Sequence, residues 1–137
     1  MLKLKSRHGF TLVEIMIVVA IIALLAAIAI PNLLGARRTA NEAAARANIR
    51  TLCSELETFA AGTGAGAYPA SVAALQAISA AATKYCGAPC ITALTGCGGY
   101  VYSCVVAPGG YTLGGAPLSA NTGTITYAAT TGGQITP

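Results

Sequence analysis

Gly9-Phe10-Thr11-Leu12-Val13-Glu14 opens a run that reads FTLVEIMIVVAIIALLAAIAI from Phe10 to Ile30 and stops at Pro31. These 21 residues hold one ionisable side chain, Glu14. As a helix rising 1.5 Å per residue the run is about 31 Å long, close to the hydrocarbon thickness of a bilayer. Lys3, Lys5 and Arg7 precede it, a basic flank of the kind that keeps the N-terminal end of a span in the cytoplasm. Glu14 is the unusual residue. A carboxylate at mid-bilayer costs about 2.5–3.5 kcal/mol, so its presence there points to a task. It either reaches to the headgroups from near the helix end, or meets a positive partner in a water-poor site where pairing offsets the burial.

Ala27-Ile28-Ala29 offers a competing reading as the cut site of an ordinary secretory signal. Three features oppose it. The apolar run exceeds the usual 7–15-residue core, a glutamate lies inside it, and the helical pattern continues through the supposed cut.

The short basic leader, Gly9, Phe10, Glu14 and the closing Pro31 together resemble the type IV prepilin signature. The chain is similar to type IV pilins and pseudopilins from about Lys3 to Phe59; beyond that the likeness is one of architecture. The resemblance implies cleavage between Gly9 and Phe10 by a prepilin peptidase, then N-methylation of Phe10. It also implies a partner for Glu14, the Phe10 amine of a neighbouring subunit in the core of a filament. Phe10, Glu14 and Pro31 are therefore the expected assembly residues. The expected life history is a single-pass inner-membrane precursor with a cytoplasmic N-terminus, handled by pilus or secretion machinery. It ends as a periplasmic or cell-surface homopolymer.

At 137 residues the chain allows one modest domain besides the span. Residues 1–9 read as a removed leader. Residues 10–61 read as a long helix, apolar over 10–30 and amphipathic over 31–61, and residues 62–137 as a globular head. Pro31 removes a backbone donor and crowds the carbonyl four residues back, so a kink is expected near it. Ala45, Ile49, Leu52, Leu56 and Phe59 recur at helical spacing as one buried stripe. Arg38, Glu42, Arg46 and Arg50 form a ladder at four-residue steps. It is either a self-paired solvated face or a set of partners for Glu55 or Glu57 of adjacent subunits.

Gly62 to Gly66 ends the helix, and Ser71 caps a second, short helix predicted to run to about Ala82. Cys86 to Gly99 reads as a disulfide-stapled loop. Strands are expected at Tyr100–Val106, Tyr111–Ala116 and Thr124–Ala129, with a short edge at Gln134–Thr136. The fold class is α+β: a long N-terminal helix packed on a small antiparallel sheet of 3–4 strands, the lollipop of the pilin family.

Five cysteines stand at 53, 86, 90, 97 and 104. Cys86, Cys90, Cys97 and Cys104 allow three pairings, and Cys53 is either the odd thiol or a partner that frees another. The C-x3-C-x6-C-x6-C spacing lacks zinc knuckles, and the one histidine, His8, lies in the leader, so no metal or other cofactor is expected.

Removing the leader leaves five basic residues against four glutamates, and residues 62–137 carry a single formal side-chain charge, Lys84. So neutral a head has little electrostatic resistance to association. It suits a subunit packed against others or carrying glycans. Without a mature histidine or any aspartate, acid–base and thiol catalysis lack their usual groups, so no enzyme and no small-molecule substrate are expected. A competence-type DNA-uptake pilin is a further alternative, but phosphate contacts need several cations on one surface and the head offers Lys84 alone. Tyr68, Tyr85 and Tyr111 are the available stacking rings. No nucleic-acid partner is expected. A type II secretion pseudopilin remains the nearest alternative, although a calcium site near the C-terminus would want carboxylates and none follows Glu57.

Overall fold

The structure, a computed structural model, describes residues 9–91 and 97–137. Most of the leader and the middle of the cysteine-rich loop therefore lie outside the described residues. The chain divides into two compact units, one ending at Gly35 and the other comprising Ala36–Pro137. Helix α1, Leu12–Ala61, contributes to both.

In the first unit α1 carries no buried side chain. Ile15, Val18, Ile21 and Leu24 are each more than half exposed, and the most apolar window reaches a mean hydropathy of 3.0. By length and composition this helix is able to cross a membrane. Pro31 sits inside it without ending it. One residue on, the Asn32 side-chain amide donates to the Ile28 carbonyl at 3.2 Å.

The second unit is the folded body. Here α1 turns one stripe inward: Ala45, Ile49, Leu52, Cys53, Leu56 and Ala60. Phe59, expected to end the stripe, is only half-buried and Ala60 is buried in its place; the Phe59 ring lies instead against Gly64, where an added Cβ would come within 2.9 Å of it. Strands β1 (Tyr100–Ala107), β2 (Gly110–Pro117), β3 (Tyr127–Thr130) and β4 (Gln134–Thr136) form an antiparallel meander in sequence order. Alternation sets the inner face: Tyr100, Tyr102, Val106, Tyr111, Leu113, Tyr127 and Ala129 are buried in one cluster with the α1 stripe. Tyr102 pairs with Gly115 and Gly115 with Tyr127 across the sheet. A Cβ on Gly115 would lie 2.9 Å from Ile49 Cδ1, so glycine is what lets the helix settle on the sheet.

Two elements differ from expectation. The predicted single helix from Ser71 is two, α2 (Val72–Ile78) and α3 (Ala80–Tyr85), broken at Ser79. Ser79 adopts an extended conformation, closes α2 by donating its N–H to the Leu75 carbonyl, and caps α3 by accepting from Ala82 N at 2.8 Å. The third strand begins at Tyr127 rather than Thr124, because Thr124 gives its N–H to Glu42 instead of to a strand neighbour. Part of the expected loop is also helical, as α4 (Ala88–Ile91). Disulfides join Cys86 to Cys104 of β1 and Cys90 to Cys97, with Cα separations of 5.6 and 5.1 Å, and Cys53 on α1 is a buried free thiol.

Candidate functional site

The N-terminal segment is built by helix capping. Thr11 precedes α1 and its hydroxyl accepts from Glu14 N at 3.2 Å. Glu14 Oε2 accepts in return from Thr11 N at 2.8 Å and from the Thr11 hydroxyl at 2.7 Å. This reciprocal pair is a capping box, which satisfies donors that the first helical turn leaves without partners. Its sequence signal is Thr11-x-x-Glu14 ahead of an apolar run. Phe10 is 85% exposed at the outer edge of this turn. A Cβ on Gly9 would meet nothing within 4 Å. Folding therefore places no demand for glycine at position 9; any such demand comes from outside the chain.

The three other glutamates all lie on α1 in the second unit, and each binds the head through neutral donors. Glu42 Oε1 accepts from Thr124 N at 2.8 Å and from its hydroxyl at 3.1 Å. Glu55 accepts from the buried Ser79 hydroxyl. Glu57 holds three donors: Tyr111 Oη at 2.8 Å, Gly132 N at 2.9 Å and Tyr68 Oη at 3.0 Å. The bond from Tyr111 chiefly, with those from Gly132 and Tyr68, holds the Glu57 carboxyl below its ordinary range. The Thr124 N–H does the same for Glu42. Burial, reinforced by Glu57, pushes the Tyr111 hydroxyl up, and burial pushes Tyr100 up to about 12.

The arginine ladder therefore does not pair with itself: among the described residues no Arg–Glu ion pair forms. Arg38 donates to Asn121 Oδ1 at 3.3 Å, while Arg46 and Arg50 point into solvent. Glu57 is committed inside its own subunit. The stacking candidates are likewise occupied. Tyr111 is buried with Tyr68 packed edge-on at 5.2 Å, and Tyr85 leans on Tyr102 at 5.2 Å. Cys86, Cys90, Cys97 and Cys104 are consumed in disulfides, so they present no thiolates to a metal. Burial raises the Cys53 thiol above its ordinary value, which leaves it a small apolar filler.

An unburied apolar helical segment that follows a glycine–phenylalanine junction and carries one glutamate defines a class. Residues 4–30 match the family model described as the prokaryotic N-terminal methylation motif, and the homologues of the chain are type IV pilins and type II secretion pseudopilins. One relative, the type IV wide pilus major component PilA4 of Thermus thermophilus, is 59% identical over 39 residues, 28% of this chain and 30% of its own length. The type IV major pilin protein PilA of Myxococcus xanthus is 47% identical over 52 residues, 38% and 24% of the two chains. The type II secretion system core protein G of Vibrio cholerae is 39% identical over 59 residues, 43% and 40%. The chain thus matches between about a quarter and two fifths of the length of these relatives. No solved structure matches it significantly.

Proposed function

We propose that this protein is a structural subunit of a type IV pilus-like filament. It is made as an inner-membrane precursor, cut by a prepilin peptidase between Gly9 and Phe10, methylated on Phe10 and polymerised through its apolar helix. One observation carries the reading: the methylation motif coincides with the N-terminal segment of α1, which buries none of its apolar side chains among the described residues. So much bare apolar surface needs lipid before assembly and like helices after it. Once Phe10 is free, its amine is the complementary charge for Glu14 of an adjacent copy, and the water-poor packing of helices strengthens that pair. In the precursor Glu14 is held by Thr11; on assembly it exchanges those donors for the amine of a neighbour.

A type II secretion pseudopilin is the second reading, favoured by the similarity to core protein G over 43% of the chain. The absence of any carboxylate after Glu57 weighs against a calcium-dependent version. Mass spectrometry of filaments sheared from cells tests the main reading. The expected product starts at N-methyl-Phe10 and is lighter than its reduced form by four hydrogens, two for each disulfide. A mature N-terminus at Ile30, or recovery only from the soluble periplasm, would overturn it.

A further inference from the structure

On the filament reading, copies of the subunit also meet outside their apolar helices. On α1 the buried stripe is flanked by two unlike edges. On the β3 side Arg46 and Arg50, one turn apart and exposed, line a groove of about 360 Å³ with Thr39, Ala43 and Tyr127. Glu42 lines the same groove, but its carboxylate is turned to Thr124. The edge facing the junction of α2 and α3 carries a larger groove, about 500 Å³, with Glu55 in it and Phe59, Leu75 and Ile78 among its walls. Ile78 is 56% exposed there. Ser79 donates to one oxygen of Glu55, and the other oxygen accepts no hydrogen bond among the described residues.

The two edges cannot meet within one chain. Glu55 lies nine positions after Arg46 and five after Arg50. At 100° per residue these offsets are about 180° and about 140° around the helix. Each copy therefore carries an exposed basic edge and an acidic groove nearly back to back.

We infer that the Glu55 groove of one subunit receives the Arg46–Arg50 edge of a second copy. Charge complementarity selects the occupant: Glu57 is filled by three donors, and Glu42, which takes both Thr124 bonds on one oxygen, already lies within the basic groove, so Glu55 is the carboxylate with an open oxygen away from that edge. The groove walls suit an arginine in particular. Phe59 and Ile78 cover the methylene stem while the guanidinium reaches the open carboxylate oxygen. Pairing requires the second copy to be shifted along the helix axis by about 8–14 Å, the rise of five to nine helical residues. Because the two surfaces differ, the contact is heterologous and leaves a free edge and a free groove at either end, as an open helical polymer requires.

Charge exchange in the full-length protein, expressed in its own host, tests this contact. Glu55→Arg, and separately the pair Arg46→Glu with Arg50→Glu, are each expected to lower the yield of sheared filaments by about tenfold or more, since like charges then face each other. Co-expressing the two variant chains restores filaments, because subunits alternate with every groove facing an opposite edge. Ser79→Ala, which removes the internal bond and leaves the charge, is expected to keep filament yield near that of the unaltered protein. Glu55→Arg filaments at the normal level, or co-expression no better than either variant alone, overturn the contact while leaving the filament reading intact. Absence of filaments from the unaltered protein overturns both.

Discussion

Glu14 serves two demands that a substitution can pull apart. It closes the capping box with Thr11, and it supplies the lone charge of the apolar segment. Glutamine fills the same place in a capping box without the charge. Glu14→Gln and Glu14→Ala should therefore both insert and be cleaved after Gly9, and both should fail to assemble efficiently, scored as processed subunit against sheared filament. Normal filaments from Glu14→Gln would mean that capping, not charge, is what assembly needs. Glu57 makes the contrasting case. Glu57→Ala strands the buried hydroxyl of Tyr111, and an unsatisfied buried donor costs about 1–3 kcal/mol, to be read as a fall in the denaturant midpoint of the second unit. None of this was legible at Glu57 from the chain, because its donors come from residues 11, 54 and 75 positions away.

Among the elements, legibility followed the range of the forces. The hairpins of β1 to β4 were readable because period-two alternation and glycine turns are local, and the edge strand Gln134–Thr136 lies where its pattern placed it. The break at Ser79 was hidden, since the apolar spacing runs on from Val72 toward Tyr85 and only the bond to Glu55 reveals what Ser79 does. Thr124 left the third strand for the same kind of reason. Cysteine pairing needed the fold itself. The two bridges are expected to differ in worth. Chain-entropy reasoning gives about 3 kcal/mol for Cys86–Cys104 with a separation of 18 residues, and about 2 kcal/mol for Cys90–Cys97 with a separation of 7. Cys86→Ser with Cys104→Ser should accordingly lower the midpoint of unfolding more than Cys90→Ser with Cys97→Ser. Gly115→Ala is predicted to cost about 1–3 kcal/mol by forcing Ile49 away from the sheet, again read as a lowered midpoint.

For the whole molecule, Ala36–Pro137 contains the entire buried cluster, so that unit is expected to fold when expressed without the apolar segment. Its stability should depend on acid. Glu57 and Glu42 are held below the ordinary carboxyl value of 4.5, so the unfolded chain takes up their protons first as pH falls. Their stabilisation is complete above that ordinary value and is lost as pH drops through it toward the lower folded values. Thermal melts should thus be level near neutrality and decline below about pH 4.5, less steeply in Glu57→Gln. The helix is fastened to the head by carboxylates that take neutral donors, with no ion pair among the described residues. Added salt has few exposed charges to screen there, whereas an Arg–Glu contact between copies is open to screening at distances near 8–10 Å. Brine and vinegar would then take a filament apart in different ways: the first would loosen whole subunits from one another, the second would unfasten each subunit from its own rod.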